Sequence, residues 1–91
     1  MTLAEVKQKN NEAGFYFFEP ETMRFFGSRV ESSLYKNNTF VTSEYSGFDR
    51  KTRAYTVRLF NEKTCNIDDV GGFGAYRTLA AAKEAAQNYK A

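Results

Sequence analysis

Two neighbouring stretches of the chain carry the composition and the alternation of β-strands. Residues 39–45 (TFVTSEY) are rich in β-branched and aromatic side chains, and residues 53–60 (RAYTVRLF) alternate strictly between two faces. Residues 29–35 (RVESSLY) alternate as well, and the asparagine-rich turn at residues 36–39 joins them to the following stretch. This order predicts a β-hairpin followed by a third strand.

A fourth strand is predicted at residues 64–70, although two adjacent aspartates weaken the pattern there. The turn before it, residues 61–63, is short, and short connections between successive strands favour an antiparallel meander. We therefore expect a sheet of three or four antiparallel strands.

Helices are predicted at both ends of the chain. Thr2 and Glu5 have the spacing of a capping box, so a short helix should cover residues 3–12, with few apolar residues to hold it to the core. Thr78 can cap a C-terminal helix over residues 79–90, in which leucine and alanines recur at helical spacing. We expect the first helix to be peripheral and the second to pack across one face of the sheet.

The segment from Phe15 to Arg29, called the phenylalanine-rich segment below, holds five of the nine phenylalanines and the only proline. Residues 15–18 are predicted to be a short strand, and residues 20–26 a short helix, because proline suits the first turn of a helix. A chain poor in leucine and isoleucine needs its rings in the core, so the segment should lie at the edge of the core. Three of its side chains are expected to be partly inside: Phe17, Met23 and Phe26.

The length of 91 residues predicts a single domain spanning residues 1–91. Its expected fold class is α+β: a three- to four-stranded antiparallel sheet, a C-terminal helix packed on one face and a short N-terminal helix. A lone cysteine, no signal-peptide pattern and no apolar run long enough to span a bilayer predict a cytoplasmic protein with no membrane partner.

Residues that carry chemistry are sparse. Histidine, the usual general base near neutral pH and the commonest metal ligand, is absent, so Cys65 has no histidine partner for catalysis or zinc binding. Asp68 and Asp69 are adjacent in a predicted strand and should point to opposite faces. The GGFG sequence lacks the spacing of a nucleotide-binding loop. We therefore predict no enzyme activity, no metal and no cofactor.

Positive charge is concentrated in the middle of the chain, although the net charge of the whole is only +2. Residues 23–58 hold seven basic and three acidic residues, a local charge of +4, which can form a basic face. Exposed aromatic side chains beside such a face are of the kind that dominate protein interfaces. The predicted partner-binding residues are Arg24, Arg29, Tyr35, Tyr45, Phe48, Arg50, Lys51, Arg53 and Arg58.

Arg24 and Arg29 admit two roles. Their methylenes can cover aromatic rings while their guanidinium groups pair with nearby glutamates, which would clamp the phenylalanine-rich segment to the sheet. This structural role is the favoured one. In the other role, both arginines contact a partner. The glutamates close in sequence are Glu19, Glu21 and Glu31.

A block of residues in this segment has the pattern FF-x-x-x-T-M-R-F-F-x-S-R, and weaker strand patterns follow it. The residues concerned are Phe17, Phe18, Thr22, Met23, Arg24, Phe25, Phe26, Ser28 and Arg29, with Thr42, Ser43 and Tyr55–Arg58 downstream. With them, the chain resembles a family of small, uncharacterised proteins encoded by bacteriophages and prophages, over most of residues 15–78. The resemblance implies a phage accessory protein and supplies no active site.

Two functions follow as hypotheses. The resemblance implies binding to a host protein or ribonucleoprotein complex, and the favoured form is an anti-defence inhibitor, similar to an anti-CRISPR protein. The alternative is a small nucleic-acid-binding module, in which the basic middle segment contacts phosphates and exposed rings stack on bases. At a net charge of +2 only a few phosphates can be neutralised, so such binding should be weak and sensitive to salt.

Overall fold

The strands of the computed structural model form one antiparallel sheet, in the order in which they occur in the chain. The structure describes residues 1–47 and 51–90. The strands are β1 (Arg29–Val30), β2 (Thr39–Tyr45), β3 (Arg53–Phe60) and β4 (Ile67–Val70), and the helices are α1 (Leu3–Glu12), α2 (Pro20–Arg24) and α3 (Leu79–Asn88). This architecture confirms the predicted α+β fold, and the weak fourth strand forms.

Both faces of the sheet are covered. The register of β2 and β3 places Val41 opposite Val57 on one face and Phe40 opposite Arg58 on the other. Val41 and Val57 pack against α3, so this is called the α3 face. Phe40 packs against Val6 of α1 and the phenylalanine-rich segment, and this is called the α1 face. Because each face buries its own apolar cluster, both the α1 and α3 faces stabilise the sheet.

Helix α3 lies close to the sheet because small side chains face the strands. The side chain of Thr78 accepts a hydrogen bond from the first turn, as predicted. Ala82 and Ala86 are fully buried against the α3 face. Asn37 Nδ2 donates to the carbonyl oxygens of Ala86 and Tyr89, at 2.8 and 2.9 Å. These bonds satisfy carbonyls at the helix end, and the helix stops two residues before its predicted end.

Helix α1 is anchored more firmly than its thin apolar stripe predicts. The capping box at Thr2 forms, and Val6 is fully buried in the core. Asn10 is also fully buried: its Nδ2 donates to the carbonyl of Cys65 at 2.8 Å, and its Oδ1 accepts from the amide of Phe17 at 2.8 Å. The helix is peripheral as expected, since only Val6 and Asn10 are buried, but a polar side chain adds an attachment that apolar spacing does not reveal.

The predicted strand at residues 15–18 is absent from the described chain, which turns there instead. Tyr16 has a φ of +56°, which no β-strand accommodates. The turn directs the rings of Phe17 and Phe18 onto Phe40, at centroid distances of 6.3 and 5.6 Å. The rings reach the core as predicted, although the backbone that carries them is irregular.

The predicted strand at residues 29–35 is reduced to the two residues of β1. At the next position the amide of Glu31 still donates to the carbonyl of Val41 at 2.8 Å, but the amide of Val41 donates to Ser32 Oγ at 2.8 Å instead of to a backbone carbonyl. Pairing resumes only at the turn, where the amide of Tyr35 donates to the carbonyl of Thr39 at 2.8 Å. The alternating sequence identified the hairpin but not this interruption.

Candidate functional site

Four polar side chains form a hydrogen-bonded group on the α1 face. Arg58 and Glu44 form an ion pair with Nη2 3.3 Å from Oε2, although these residues are only 9% and 0% exposed. Arg58 Nε donates to Thr42 Oγ1 at 3.0 Å, and Thr56 Oγ1 donates to Glu44 Oε1 at 2.7 Å. Buried charges are tolerated when paired and hydrogen-bonded, and each charge here has both kinds of partner.

A cavity of about 220 Å³ lies in front of Arg58, between the phenylalanine-rich segment and the loop after β4. The guanidinium carbon of Arg58 is 5.2 Å from the ring centroid of Phe17 and 5.6 Å from that of Phe73. Gly74 fixes the loop, because its amide donates to Thr56 Oγ1 at 2.9 Å. The cavity therefore combines a buried cation with aromatic walls, and its lining is completed by Thr22, Met23, Phe26 and Ser28.

Three phenylalanines beside this cavity form an exposed group, called the aromatic cluster below. Phe25, Phe26 and Phe73 are 76%, 50% and 48% exposed. The ring of Phe26 contacts both of the others, with its centroid 4.6 Å from that of Phe25 and 5.1 Å from that of Phe73. The expected core position of Phe26 is therefore wrong, whereas Phe17 and Met23 are half-buried as predicted. A single exposed phenylalanine is ordinary, but three in contact form a candidate interaction surface.

A groove of about 420 Å³, called the basic groove below, lies beside the aromatic cluster. It brings together three of the predicted partner-binding residues, Arg24, Arg29 and Tyr45. Both arginines are exposed, and within residues 1–47 and 51–90 neither side chain forms an ion pair or a hydrogen bond. Glu31, one of the expected clamp partners, instead accepts from Ser43 Oγ at 3.0 Å. The clamp hypothesis for the two arginines is therefore wrong.

Arg53 makes the attachment that was predicted for Arg24 and Arg29. Its Nη2 donates to the carbonyl oxygens of Gly27 and Ser43, and its Nε donates to Ser43 Oγ at 2.9 Å. Its guanidinium carbon also lies 4.8 Å from the ring centroid of Tyr45. These bonds tie the end of the phenylalanine-rich segment to β2 and give Arg53 a structural role that the sequence does not predict.

The remaining predicted site residues do not gather into one face. Arg58 is buried in its ion pair, so its expected position on an exposed basic surface is wrong. Tyr35 packs against the α3-face cluster and lines a separate groove near the end of α3. Lys51 is exposed, while Phe48 and Arg50 lie outside the described residues. Of the basic face predicted from charge, the described structure therefore brings together only Arg24 and Arg29, in the basic groove.

Metal-binding geometry is not found in the described ranges. No group of three or more histidine, cysteine, aspartate or glutamate side chains could hold a metal ion among residues 1–47 and 51–90. Asp68 and Asp69 are exposed on β4 and alternate in direction, as predicted. Over the same part of the chain, no helix has the length and apolar character needed to cross a bilayer.

Sequence reasoning missed the aromatic cluster. The composition places the phenylalanine rings in the core, and the GGFG sequence that contains Phe73 gives no indication of an exposed ring. One signal was present in the sequence: the helix predicted at residues 20–26 is short and Gly27 follows it at once, so it offers little surface to cover two adjacent rings. Phe73 stands between glycines, where no alternation indicates which way its ring points.

Comparison with known proteins gives a family and no activity. A protein-family model described as a family of unknown function (DUF7447) matches residues 2–87. This match spans all three helices but for the last residue of α3, and all four strands of the described structure. No curated protein and no solved structure matches the chain.

Proposed function

The chain belongs to the DUF7447 family, whose function is unknown, and we propose that it is a non-catalytic protein that binds another protein. One observation carries the proposal: the aromatic cluster and the basic groove are adjacent. Met23 and Ser28 line both the groove and the cavity beside the cluster. Together they make one surface in which exposed rings lie next to exposed arginines.

Aromatic side chains and arginine are the residue types that carry most of the binding energy in protein interfaces. Phe25 is the most exposed member of the cluster, and its ring makes an edge-to-face contact with that of Phe26, at an interplanar angle of 86°. Covering such rings releases them from water, which favours association. The cluster is therefore the proposed centre of the interface.

The arginines of the basic groove indicate the chemistry of the partner. Arg24 and Arg29 have no carboxylate partner within the part of the chain that the structure describes. An arginine presents a planar fork of donors that matches a carboxylate. We therefore propose a partner surface that offers an apolar patch to the aromatic cluster and aspartate or glutamate side chains to the basic groove.

The resemblance to small phage proteins supports a host protein as the partner. Four of the residues that carry that resemblance, Arg24, Phe25, Phe26 and Arg29, belong to the proposed surface. The specific form that we propose is a phage accessory protein that inhibits a host defence complex, such as an RNA-guided nuclease, by covering part of its protein surface. Such an inhibitor acts in the host cytoplasm.

Nucleic-acid binding receives less support. Two cations of the basic middle segment have protein partners: Arg58 is paired with Glu44, and Arg53 is bonded to Gly27 and Ser43. Arg58 cannot neutralise a phosphate without giving up its carboxylate, and the donors of Arg53 are directed at oxygens of the protein. Non-specific affinity depends on the number of phosphates that are neutralised, so this pattern favours a protein partner.

The test begins with a photo-crosslinking amino acid in place of Phe25 and, as the control, in place of Glu84, which is exposed on α3 at the opposite face of the sheet. Nuclease-treated host lysate is irradiated with each variant, and crosslinked proteins are identified by mass spectrometry. We expect a protein that crosslinks from position 25 and not from position 84. Nucleic acid as the main crosslinked species from untreated lysate would contradict the proposal.

The identified protein is then purified and titrated against four variants. Phe25→Ser and the double variant Arg24→Ala/Arg29→Ala should each weaken binding by about tenfold or more. Phe15→Ser, at an exposed phenylalanine outside the cluster, and Lys7→Ala, at an exposed cation on α1, should change it less than about twofold. Equal affinities for all four would exclude this surface as the interface.

A further inference from the structure

The guanidinium of Arg58 has more donors than its surroundings supply acceptors. It donates through Nε to Thr42 and through Nη2 to Glu44, whereas Nη1 donates to no residue in the described ranges. A guanidinium carries N–H groups on all of its nitrogens, so part of its donor capacity is unused. Because Arg58 lines the cavity, an acceptor that enters the cavity can reach it. Nη1 is not one of the fully buried nitrogens that lack a partner, so it is open to an acceptor that enters the cavity.

The walls of the cavity select an apolar group. Phe17, Met23, Phe26 and Phe73 supply most of its lining, and Thr22 and Ser28 add hydroxyl groups. The volume of about 220 Å³ equals the share of roughly seven waters in the liquid, which is the size range of one large apolar side chain. The cavity is thus suited to a leucine- or phenylalanine-sized group that carries a hydrogen-bond acceptor.

Charge indicates that the acceptor is neutral. Glu44 already compensates the charge of Arg58, with its Oε2 3.3 Å from Nη2. Asp69, on β4, is the residue paired with Arg58 of β3 in the sheet. A second carboxylate at the guanidinium would therefore be repelled by two nearby acidic residues, in surroundings that screen charge less than water does. A carbonyl oxygen accepts the same hydrogen bond without that repulsion.

We propose that the cavity binds one apolar side chain of the protein partner, and that a main-chain carbonyl next to that side chain accepts a hydrogen bond from Arg58. The inference rests on the proposed function and specifies the partner's chemistry. The aromatic cluster and the cavity share Phe26 and Phe73, so a partner that covers the cluster reaches the cavity opening. The inserted residue is the anchor of the interface, and the carbonyl fixes its orientation.

The probe is N-acetyl-phenylalanine amide, which has an aromatic side chain flanked by neutral carbonyls. The protein is labelled with ¹³C-methyl methionine, which gives one methyl signal for each of its two methionines. Met23 lines the cavity, while Met1 is exposed at the start of the chain and serves as an internal control. The probe should shift the Met23 methyl signal with a Kd on the order of 1 mM and leave the Met1 signal in place.

Related ligands test each part of the proposal. N-acetyl-glycine amide, which has no side chain, should produce no saturable shift at Met23. N-acetyl-phenylalanine with a free carboxylate should bind more weakly than the amide. Tighter binding of the carboxylate would overturn the assignment of a neutral acceptor, and equal binding of the glycine compound would overturn the assignment of an apolar anchor.

Variants locate the binding. Phe73→Ala removes a half-exposed wall and should abolish the shift, whereas Phe15→Ala, an exposed phenylalanine outside the cavity, should retain it. Glu44→Leu/Arg58→Met removes the donor without leaving a buried charge unpaired, and it should weaken binding of the amide about tenfold. Retained affinity in that double variant would exclude Arg58 as the donor.

Failure of this inference differs from failure of the proposed function. If the amide leaves Met23 unshifted up to about 20 mM, twenty times the expected Kd, the anchor pocket is excluded. The proposed function is then still decided by the effects of Phe25→Ser and Arg24→Ala/Arg29→Ala on the purified partner. If those variants bind normally while the amide shifts Met23, the cavity binds a ligand but the surface is not the proposed interface.

Discussion

The ring of Tyr45 lies directly against Gly27, where the phenylalanine-rich segment meets the sheet. A β-carbon at position 27 would lie 2.9 Å from Cζ of Tyr45 and closer still to other atoms of that ring. The amide of Tyr45 donates to the carbonyl of Phe26 at 3.0 Å, and Arg53 donates to the carbonyl of Gly27. Backbone contacts at a glycine therefore hold the end of the segment, and with it the position of the aromatic cluster.

Gly27→Ala should destabilise the fold because the position combines two constraints. Its φ of +63° is unfavourable for any side chain, and the β-carbon would overlap Tyr45. Gly14→Ala is the matched control, since Gly14 has a φ of +88° and open space around it. In urea unfolding, Gly14→Ala should cost about 1 kcal/mol and Gly27→Ala about 3 kcal/mol. Equal costs would show that the ring of Tyr45 moves aside freely.

The three arginines near this junction should separate into one structural and two surface residues. Arg53→Ala leaves the carbonyl oxygens of Gly27 and Ser43 without their donor, so it should lower the free energy of unfolding by about 2 kcal/mol. Arg24→Ala and Arg29→Ala should each change it by less than about 0.5 kcal/mol, because their side chains are exposed. Urea unfolding of the three variants measures this. A large loss in Arg24→Ala or Arg29→Ala would restore the clamp hypothesis.

The strands and long helices could be predicted because their signals are local. β2 and β3 occupy the residues that alternation and β-branching indicate, and the capping box at Thr2 marks the start of α1. The irregular parts depend on side chains distant in sequence. Asn10 donates a hydrogen bond to Cys65, 55 residues away. Ser32 accepts a hydrogen bond from the amide of Val41 and so interrupts a strand that the alternating sequence predicts to continue. No local pattern reports such contacts.

The candidate site was only partly predictable for a related reason. A count of charges treats all arginines alike, but the strand register decides their exposure. Arg58 pairs across to Phe40 on the buried α1 face, whereas Arg24 and Arg29 lie on a short helix and a short edge strand. The aromatic cluster needs the loop that carries Phe73 to fold back beside Phe26, and that approach depends on the bond from Gly74 to Thr56.

The ion pair of Arg58 and Glu44 should cost far more to break than to replace. Arg58→Met leaves Glu44 buried without its partner, and Glu44→Leu does the same to Arg58, so each should lose about 3–5 kcal/mol. The double variant Glu44→Leu/Arg58→Met should recover part of that loss, because no buried charge is left unpaired, while the hydroxyls of Thr42 and Thr56 lose these partners. A thermodynamic cycle from urea unfolding gives the coupling. Additive losses would mean that the two charges act independently.

Asn10 should contribute to stability as strongly as an apolar core residue, although it is polar and lies on a surface helix. Asn10→Ala removes the acceptor for the amide of Phe17 and the donor for the carbonyl of Cys65, and the Asn10 side chain itself is fully buried. The expected cost is about 2–3 kcal/mol in urea unfolding, since two partly buried groups lose their partner at once. Lys9→Ala, an exposed position on the same helix, should change stability by less than about 0.5 kcal/mol.

Amide hydrogen exchange gives a local measurement: the Phe17 amide should exchange faster in Asn10→Ala by more than the global loss of stability accounts for. If the Phe17 amide instead keeps its protection relative to the other core amides, the side chain of Asn10 does not hold the phenylalanine-rich segment against α1.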